Sequence, residues 1–235
     1  MRIVFVHGAC VRDGAWWWSR VDALLAAGGT ASAAVRLPSC GELPGARRPA
    51  GLDDDVEETR RVLRDGGPTI LVGHSYGGVV ATAAADAGDV RHLVYVSSFL
   101  PDVGESLADL GPAGPAPHLE FSPDGTFAAR AELVPPLFLH DCDPAAEEGA
   151  LARLVRQDAA VLTTPVRYAG WRSNPSTAVV CAGDRATPPE VQRAQAARAG
   201  RTVELPTGHH PMLSRPELLA ALLRKIAAGQ DRPRA

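Results

Sequence analysis

The chain has 235 residues, 46% hydrophobic and 22% charged, which is enough apolar material for one large core and fits a single domain. A formal net charge of −3 offers no basic field to attract nucleic acid or an anionic membrane, and no run approaches the ~18 apolar residues of a membrane helix. Cys10, Cys40, Cys142 and Cys181 lack CxxC spacing and the N-terminus lacks the pattern of a secretory leader, so reduced thiols in a cytoplasmic protein are expected, with no nucleic-acid or membrane partner.

Arg2-Ile3-Val4-Phe5-Val6 is a near-continuous apolar run and predicts a buried parallel strand leading into His7-Gly8-Ala9-Cys10. A loop then reaches Trp16-Trp17-Trp18, after which Val21, Leu24 and Leu25 keep helical spacing until Gly28-Gly29 ends the helix. Three consecutive tryptophans cannot share one helix face. One or two should anchor the core while another lines a cleft, and Trp17 is taken as the substrate-facing one. Ser32-Ala33-Ala34-Val35-Arg36 predicts a weaker second strand, followed by a Pro/Gly-rich loop over residues 37–51. Asp53, Asp54, Asp55, Glu57 and Glu58 open a helix that runs to Arg64. Acids there complement the helix dipole, and no nearby His or Cys completes a metal-ligand set.

Thr69-Ile70-Leu71-Val72 predicts a third strand, and the small residues from Val79 onward predict a buried helix. Between them lies Gly73-His74-Ser75-Tyr76-Gly77-Gly78, a pattern weak by itself and specific in this strand-to-helix setting. It reads as a nucleophile elbow: the serine sits in a strained backbone conformation, and the flanking glycines remove side chains that would collide with strand and helix. The hydroxyl is then exposed at a helix N-terminus, where developing negative charge is favoured.

His92-Leu93-Val94-Tyr95-Val96 is a fourth strand running into Ser97-Ser98-Phe99. Strands alternating with helices imply right-handed crossovers and a doubly wound, mostly parallel α/β sheet of about six strands. The alternation breaks under nine prolines over residues 101–171, which predicts a cap inserted after the fourth strand, with one helix over residues 145–157. The core is then residues 1–100 and 172–235. Cap residues including Phe121, Phe127 and Phe138 would roof a hydrophobic chamber above Ser75. Adjacent residues cannot converge on one ion, so His140-Asp141-Cys142-Asp143 reads as a turn closed by Pro144, and no metal site is expected. Thr177-Ala178-Val179-Val180-Cys181-Ala182 resumes the strands and ends at Gly183-Asp184-Arg185, and a helix from Pro188-Pro189 follows. Arg201-Thr202-Val203-Glu204-Leu205 is the last strand. Pro206-Thr207-Gly208-His209-His210-Pro211 and a leucine-rich amphipathic helix come after it, and the polar tail over residues 230–235 should fray.

Ser75, Asp184 and His209 thus stand in the order nucleophile, acid, base, each in a turn after a strand. Imidazole must take the serine proton and return it to the leaving group, while a carboxylate fixes the tautomer and stabilises the cation. The oxyanion needs two preorganised donors, assigned to the backbone N–H groups of Tyr76 and Ala9. Competing positions exist: Ser97 and Ser98 also follow a strand but lack the glycine spacing, Asp102 follows the fourth strand, and His210 adjoins His209.

Over nearly its whole length the chain resembles the α/β-hydrolase superfamily, and more narrowly the small esterase and hydroxynitrile lyase family. The matching motifs are VHGAC (6–10), GHSYGG (73–78), AGDRATPPE (182–190) and GHHPMLSRP (208–216). The resemblance implies a cofactor-free enzyme with its acid at Asp184, its base at His209 and a cap of the kind read above. In lyases of this family a Lys follows the catalytic His and a Thr follows the first-strand His; here His210 and Gly8 hold those places, which favours hydrolysis. The expected enzyme is a serine esterase acting on a small or medium, largely apolar carboxylic ester or lactone. Gly8, Cys10, Trp17, Phe99 and Phe138 are expected around the substrate. A homodimer is left open. A non-hydrolytic lyase or biosynthetic catalyst, and a small-molecule receptor with a vestigial triad, are the alternative readings.

Overall fold

The computed structural model describes residues 1–41, 50–111 and 116–230; parts of the Pro/Gly-rich loop and of the proline-rich cap stretch, and most of the tail expected to fray, lie outside them. Six parallel strands, β1 (Arg2–Val6), β2 (Ser32–Ala34), β3 (Pro68–His74), β4 (Asp89–Val96), β8 (Ser176–Cys181) and β9 (Arg201–Leu205), form one sheet in the order β2-β1-β3-β4-β8-β9. Side chains alternate across it. Ile3, Phe5, Ile70, Val72, Val94 and Val96 enter one core layer, while Val4, Val6, Leu71, Leu93 and Tyr95 enter the other.

The first layer is covered by α1 (Gly14–Ala27) and, from the end of the chain, α10 (Pro216–Gln230), through Val21, Leu25, Leu219 and Leu223. The second is covered by α2 (Leu52–Arg64) and α3 (Gly77–Ala84), through Val56, Leu63, Val79 and Val80. α8 (Pro189–Ala196) packs on Ala178 and Val180, and α9 (Pro211–Ser214) precedes α10. The chain moves outward from β1 to β2 and returns to β3 on the other side of β1. A cleft therefore opens at the C-terminal ends of β1 and β3, where Val6 pairs with Gly73. α1 starts at Gly14 rather than after the tryptophans. Trp18 stacks on Phe5 with ring centroids 4.3 Å apart, while the Arg153 guanidinium lies 4.2 Å over Trp16.

The segment between β4 and β8 holds α4 (Leu107–Leu110), a three-stranded antiparallel sheet of β5 (Leu119–Phe121), β6 (Thr126–Ala129) and β7 (Gln157–Asp158), and the short helices α5 (Val134–Phe138), α6 (Pro144–Leu151) and α7 (Ala160–Thr163). The expected helix over 145–157 stops at Leu151. Beyond it, Arg153 O accepts from Arg12 N–H at 3.0 Å and Val155 N–H donates to Cys10 O at 2.9 Å, so the chain leaves the helix to pair with the loop after β1. Asp143 caps α6 by accepting from Ala146 N–H at 2.8 Å, which makes His140-Asp141-Cys142-Asp143 the turn its residues suggested. All four cysteines are free thiols.

Candidate active site

Ser75 follows the last residue of β3 and has φ +51°, a left-handed conformation that costs a residue with a Cβ about 1–2 kcal/mol. Surrounding contacts hold it there: Ser75 N–H donates to Val96 O at 3.1 Å, and Ser75 O accepts from the Ser98 hydroxyl at 2.5 Å and Gly78 N–H at 3.0 Å. The flanking glycines are close-approach positions. A Cβ on Gly73 would stand 2.5 Å from Gly77 O and 2.6 Å from Gly78 Cα. The loop after β1 packs against the elbow, since a Cβ on Gly8 would lie 3.3 Å from Ser75 Cβ.

Asp184, in the turn after β8, is buried and accepts from five donors. Ala186 and Thr187 N–H reach Oδ1 at 2.8 and 3.0 Å; Oδ2 takes Gln192 Nε2 at 2.7 Å, His209 Nδ1 at 2.7 Å and the Ser97 hydroxyl. Burial pushes its pKa upward, but the neighbouring His209 charge and the hydrogen bonds from His209, Ser97 and Thr187 outweigh it and hold the carboxyl below its ordinary value. The His209 tautomer follows: Nδ1–H donates to the carboxylate, leaving Nε2 to act as acceptor. His209 is held again through its backbone, because His74 Nε2–H donates to His209 O at 3.0 Å. The cap holds the same turn, with Asp141 Oδ2 accepting from Gly208 N–H at 2.6 Å.

His210 turns away from Asp184. Its Nδ1–H donates to Phe138 O at 3.0 Å, and its ring lies 5.0 Å from Trp17. Burial first, and then the His209 charge, push its pKa down to about 3; His74 is likewise driven well below its ordinary value by burial and by His210 and His209. Both are neutral imidazoles at physiological pH. One ring nitrogen of each of His74, His209 and His210 lies within 4.8 Å of the others, a spacing that a metal ion could bridge.

Ser75 and His209 open on a cavity of about 510 Å³ between the sheet and the cap. Ala9 and Tyr76 line it, and among the described residues the backbone N–H of neither donates to another protein group. Gly8, Cys10, Trp17, Phe99 and Phe138 line it as well. No Asp, Glu, Lys or Arg does so among the described residues. Of the competing positions, Ser97 is fully buried and spends its hydroxyl on Asp184, and Asp102 is paired with the Arg172 guanidinium, which holds its pKa down to about 2. Ser98 is committed to Ser75 O. Sequence reasoning missed Ser97 and Gln192 as partners of Asp184; the only signal was that Ser97 directly follows β4, which pairs with β8, the strand before Asp184.

The alpha/beta hydrolase family model matches residues 3–222. The chain is 30% identical to "Alpha/beta hydrolase nvfD" of Aspergillus novofumigatus, over 83% of this chain and 84% of that protein. It is 29% identical to "Methylesterase 7" of Arabidopsis thaliana, over 96% of both. The crystal structure of a pyrethroid hydrolase from Sphingobium faniae superposes with TM-score 0.83 at 26% identity, covering 99% of this chain and 98% of that one. With its parallel sheet, its strained serine after β3 and its buried Asp–His pair, the chain belongs to the alpha/beta hydrolase family and is an enzyme of its esterase branch.

Proposed function

We propose that the protein is a serine hydrolase that cleaves a small or medium, neutral and largely apolar carboxylic ester or lactone through an acyl-enzyme. His209 Nε2 removes the Ser75 proton as Oγ attacks the carbonyl carbon, and Asp184 stabilises the imidazolium that results. The carbonyl oxygen becomes an oxyanion accepted by the N–H groups of Ala9 and Tyr76, at the N-terminal end of α3. His209 then returns the proton to the leaving alcohol oxygen as the tetrahedral intermediate collapses to the acyl-enzyme. A water, deprotonated in turn by His209, releases the acid and restores Ser75. Ser75 Oγ makes no hydrogen bond to His209 in the structure, and contacts of this kind tighten when substrate fills the site.

The observation that carries the reading is a buried Asp184–His209 pair, its carboxylate met by five donors, opening on a 510 Å³ cavity whose described walls hold no charged side chain. A charged substrate would lose its hydration there without a partner. Relatives named methylesterase and pyrethroid hydrolase fit a neutral ester. Lyase chemistry on a cyanohydrin is disfavoured by His210, a neutral imidazole where a permanent cation would be needed for departing cyanide. A panel of p-nitrophenyl esters of increasing acyl length, run beside mandelonitrile, tests this. Ester turnover without cyanide release is expected; cyanide release without ester turnover reverses the assignment, and activity on neither removes it.

A further inference from the structure

We infer that Asp55 is a positioning residue that sets both backbone donors of the oxyanion hole through one buried hydrogen-bond chain, and that the cap completes this chain. The inference rests on the serine-hydrolase reading above. In the sequence Asp55 is one of three consecutive acids opening a helix. In the fold Asp53 and Asp54 are exposed, whereas Asp55 is 0% exposed and faces the back of the active site.

Its Oδ1 accepts Ser39 N–H at 2.9 Å; its Oδ2 accepts the Ser39 hydroxyl at 2.5 Å and the Tyr76 hydroxyl at 2.6 Å. Ser39 Oγ accepts from Gln157 Nε2 at 2.8 Å, and Gln157 Oε1 accepts from Cys10 N–H at 2.8 Å. Ser39 and Gln157 are also 0% exposed. Every proton in the chain points toward Asp55. The Ser39 and Tyr76 rotors and the Gln157 amide orientation are thereby fixed together, and such directed chains reinforce one another in a low-dielectric interior.

The two arms end at the two donors. On one side Tyr76 is tethered by its own side chain, and its backbone N–H is that of the residue after the nucleophile. On the other, Cys10 sits at φ +57°, a strained position, with its N–H on Gln157 and its carbonyl on Val155 N–H at 2.9 Å. Committing Cys10 N–H to the cap fixes the peptide that follows Ala9 and leaves the Ala9 N–H for the cavity. Burial pushes the Asp55 carboxyl up to about 6 despite the bonds from Ser39 and Tyr76, so it is still ionised at neutral pH, as three incoming donors require. A buried carboxylate is a poor way to gain stability, since an apolar residue of similar size commonly serves as well. The geometry of its partners accounts for its position. Gln157 comes from β7, which makes the cap part of the catalytic geometry as well as its roof.

The test compares Tyr76→Phe, Gln157→Met and Asp55→Asn with the wild-type protein. Each folded variant should lose about 10-fold or more in kcat on a p-nitrophenyl ester while KM changes by less than about 3-fold, short of the 10²–10³ lost with a whole donor. Affinity for a trifluoromethyl ketone, which presents a tetrahedral oxyanion, should weaken by the same factor. If Asp55→Asn does not fold, Tyr76→Phe, which removes one oxygen, still decides. Folded Tyr76→Phe and Gln157→Met with unchanged kcat and ketone affinity, or with losses confined to KM, overturn the inference. Labelling by a fluorophosphonate separates it from the reading it rests on. An unlabelled Ser75 in the wild-type protein sinks the hydrolase reading and this inference with it. A labelled Ser75 beside variants that turn over normally sinks this inference alone.

Discussion

Core and cap hold their parts of the cavity by different means. In the core, contacts that admit no side chain fix the elbow, as at Gly73, where a Cβ would stand 2.5 Å from Gly77 O. Cap residues are held by ring packing and by hydrogen bonds to irregular backbone: Phe138 meets His209 edge-on with centroids 5.1 Å apart, and its carbonyl receives His210. Placement of Ser75 is therefore written into backbone geometry and tolerates little change. The volume and shape offered to substrate depend on side chains that can be exchanged. The exceptions are Gln157 and Asp141, cap residues whose side chains accept a backbone N–H of a core loop, where a cap substitution should register as a loss in the chemical step.

This contrast can be pressed at four points. Asp184→Asn should lower kcat by about 10³-fold, because the asparagine no longer fixes the His209 tautomer or stabilises its cation. Asp102→Asn, at the start of the cap in an ion pair with Arg172, should change kcat by less than about 3-fold; steady-state kinetics with the two results exchanged would move the acid to the cap boundary. Gly73→Ala should cost about 3 kcal/mol in urea denaturation. Gly125→Ala in the cap hairpin, at φ +81° with open space around the new methyl, should cost only about 1 kcal/mol. Equal costs at the two sites would erase the distinction drawn here. Phe138→Ala should raise KM by about 10-fold and leave kcat within about 3-fold, since it removes apolar wall and keeps the carbonyl that holds His210.

A further expected effect is on pH dependence. Because the folded His210 pKa is depressed to about 3, the unfolded chain takes up a proton that the folded protein refuses, so stability is present above about pH 6.5 and is lost on acidification. Between pH 6.5 and pH 5 this contribution is on the order of 1–2 kcal/mol. His210→Phe should flatten the decline by that amount, with the remaining slope owed in part to His74, which is shifted the same way. An unchanged slope would mean that His210 is not the buried neutral base the structure describes.

Much of the core was legible because β1, β3, β4 and β8 are largely buried apolar runs and Ser75 and Asp184 each follow one, while His209 follows β9, a largely exposed edge strand whose turn motif marked it instead. The cap was less legible. Its strands are two to four residues long, too short for a period to register, and α6 ends at Leu151 because a tertiary contact with the Cys10 loop wins over helical propensity. The role of Asp55 was hidden by its neighbours. Three acids at a helix start read as a solvated end, and what buries one of them is supplied by Ser39, Tyr76 and Gln157, up to 118 residues apart in the sequence. The tryptophans divided in part, with Trp18 stacked on the sheet and joining Trp17 at the cavity wall, and Trp16 under Arg153.

The central claim, that Ser75 carries the acyl group, is tested most directly by rapid quench during turnover of a p-nitrophenyl ester, followed by peptide mass spectrometry. A mass increase equal to the acyl group is expected on the peptide holding residues 73–78. The increase should be absent from Ser75→Ala, which should fold normally and lose at least about 10³-fold in turnover. Ser75→Ala turning over at the wild-type rate, or an acyl group found on another residue, would contradict it.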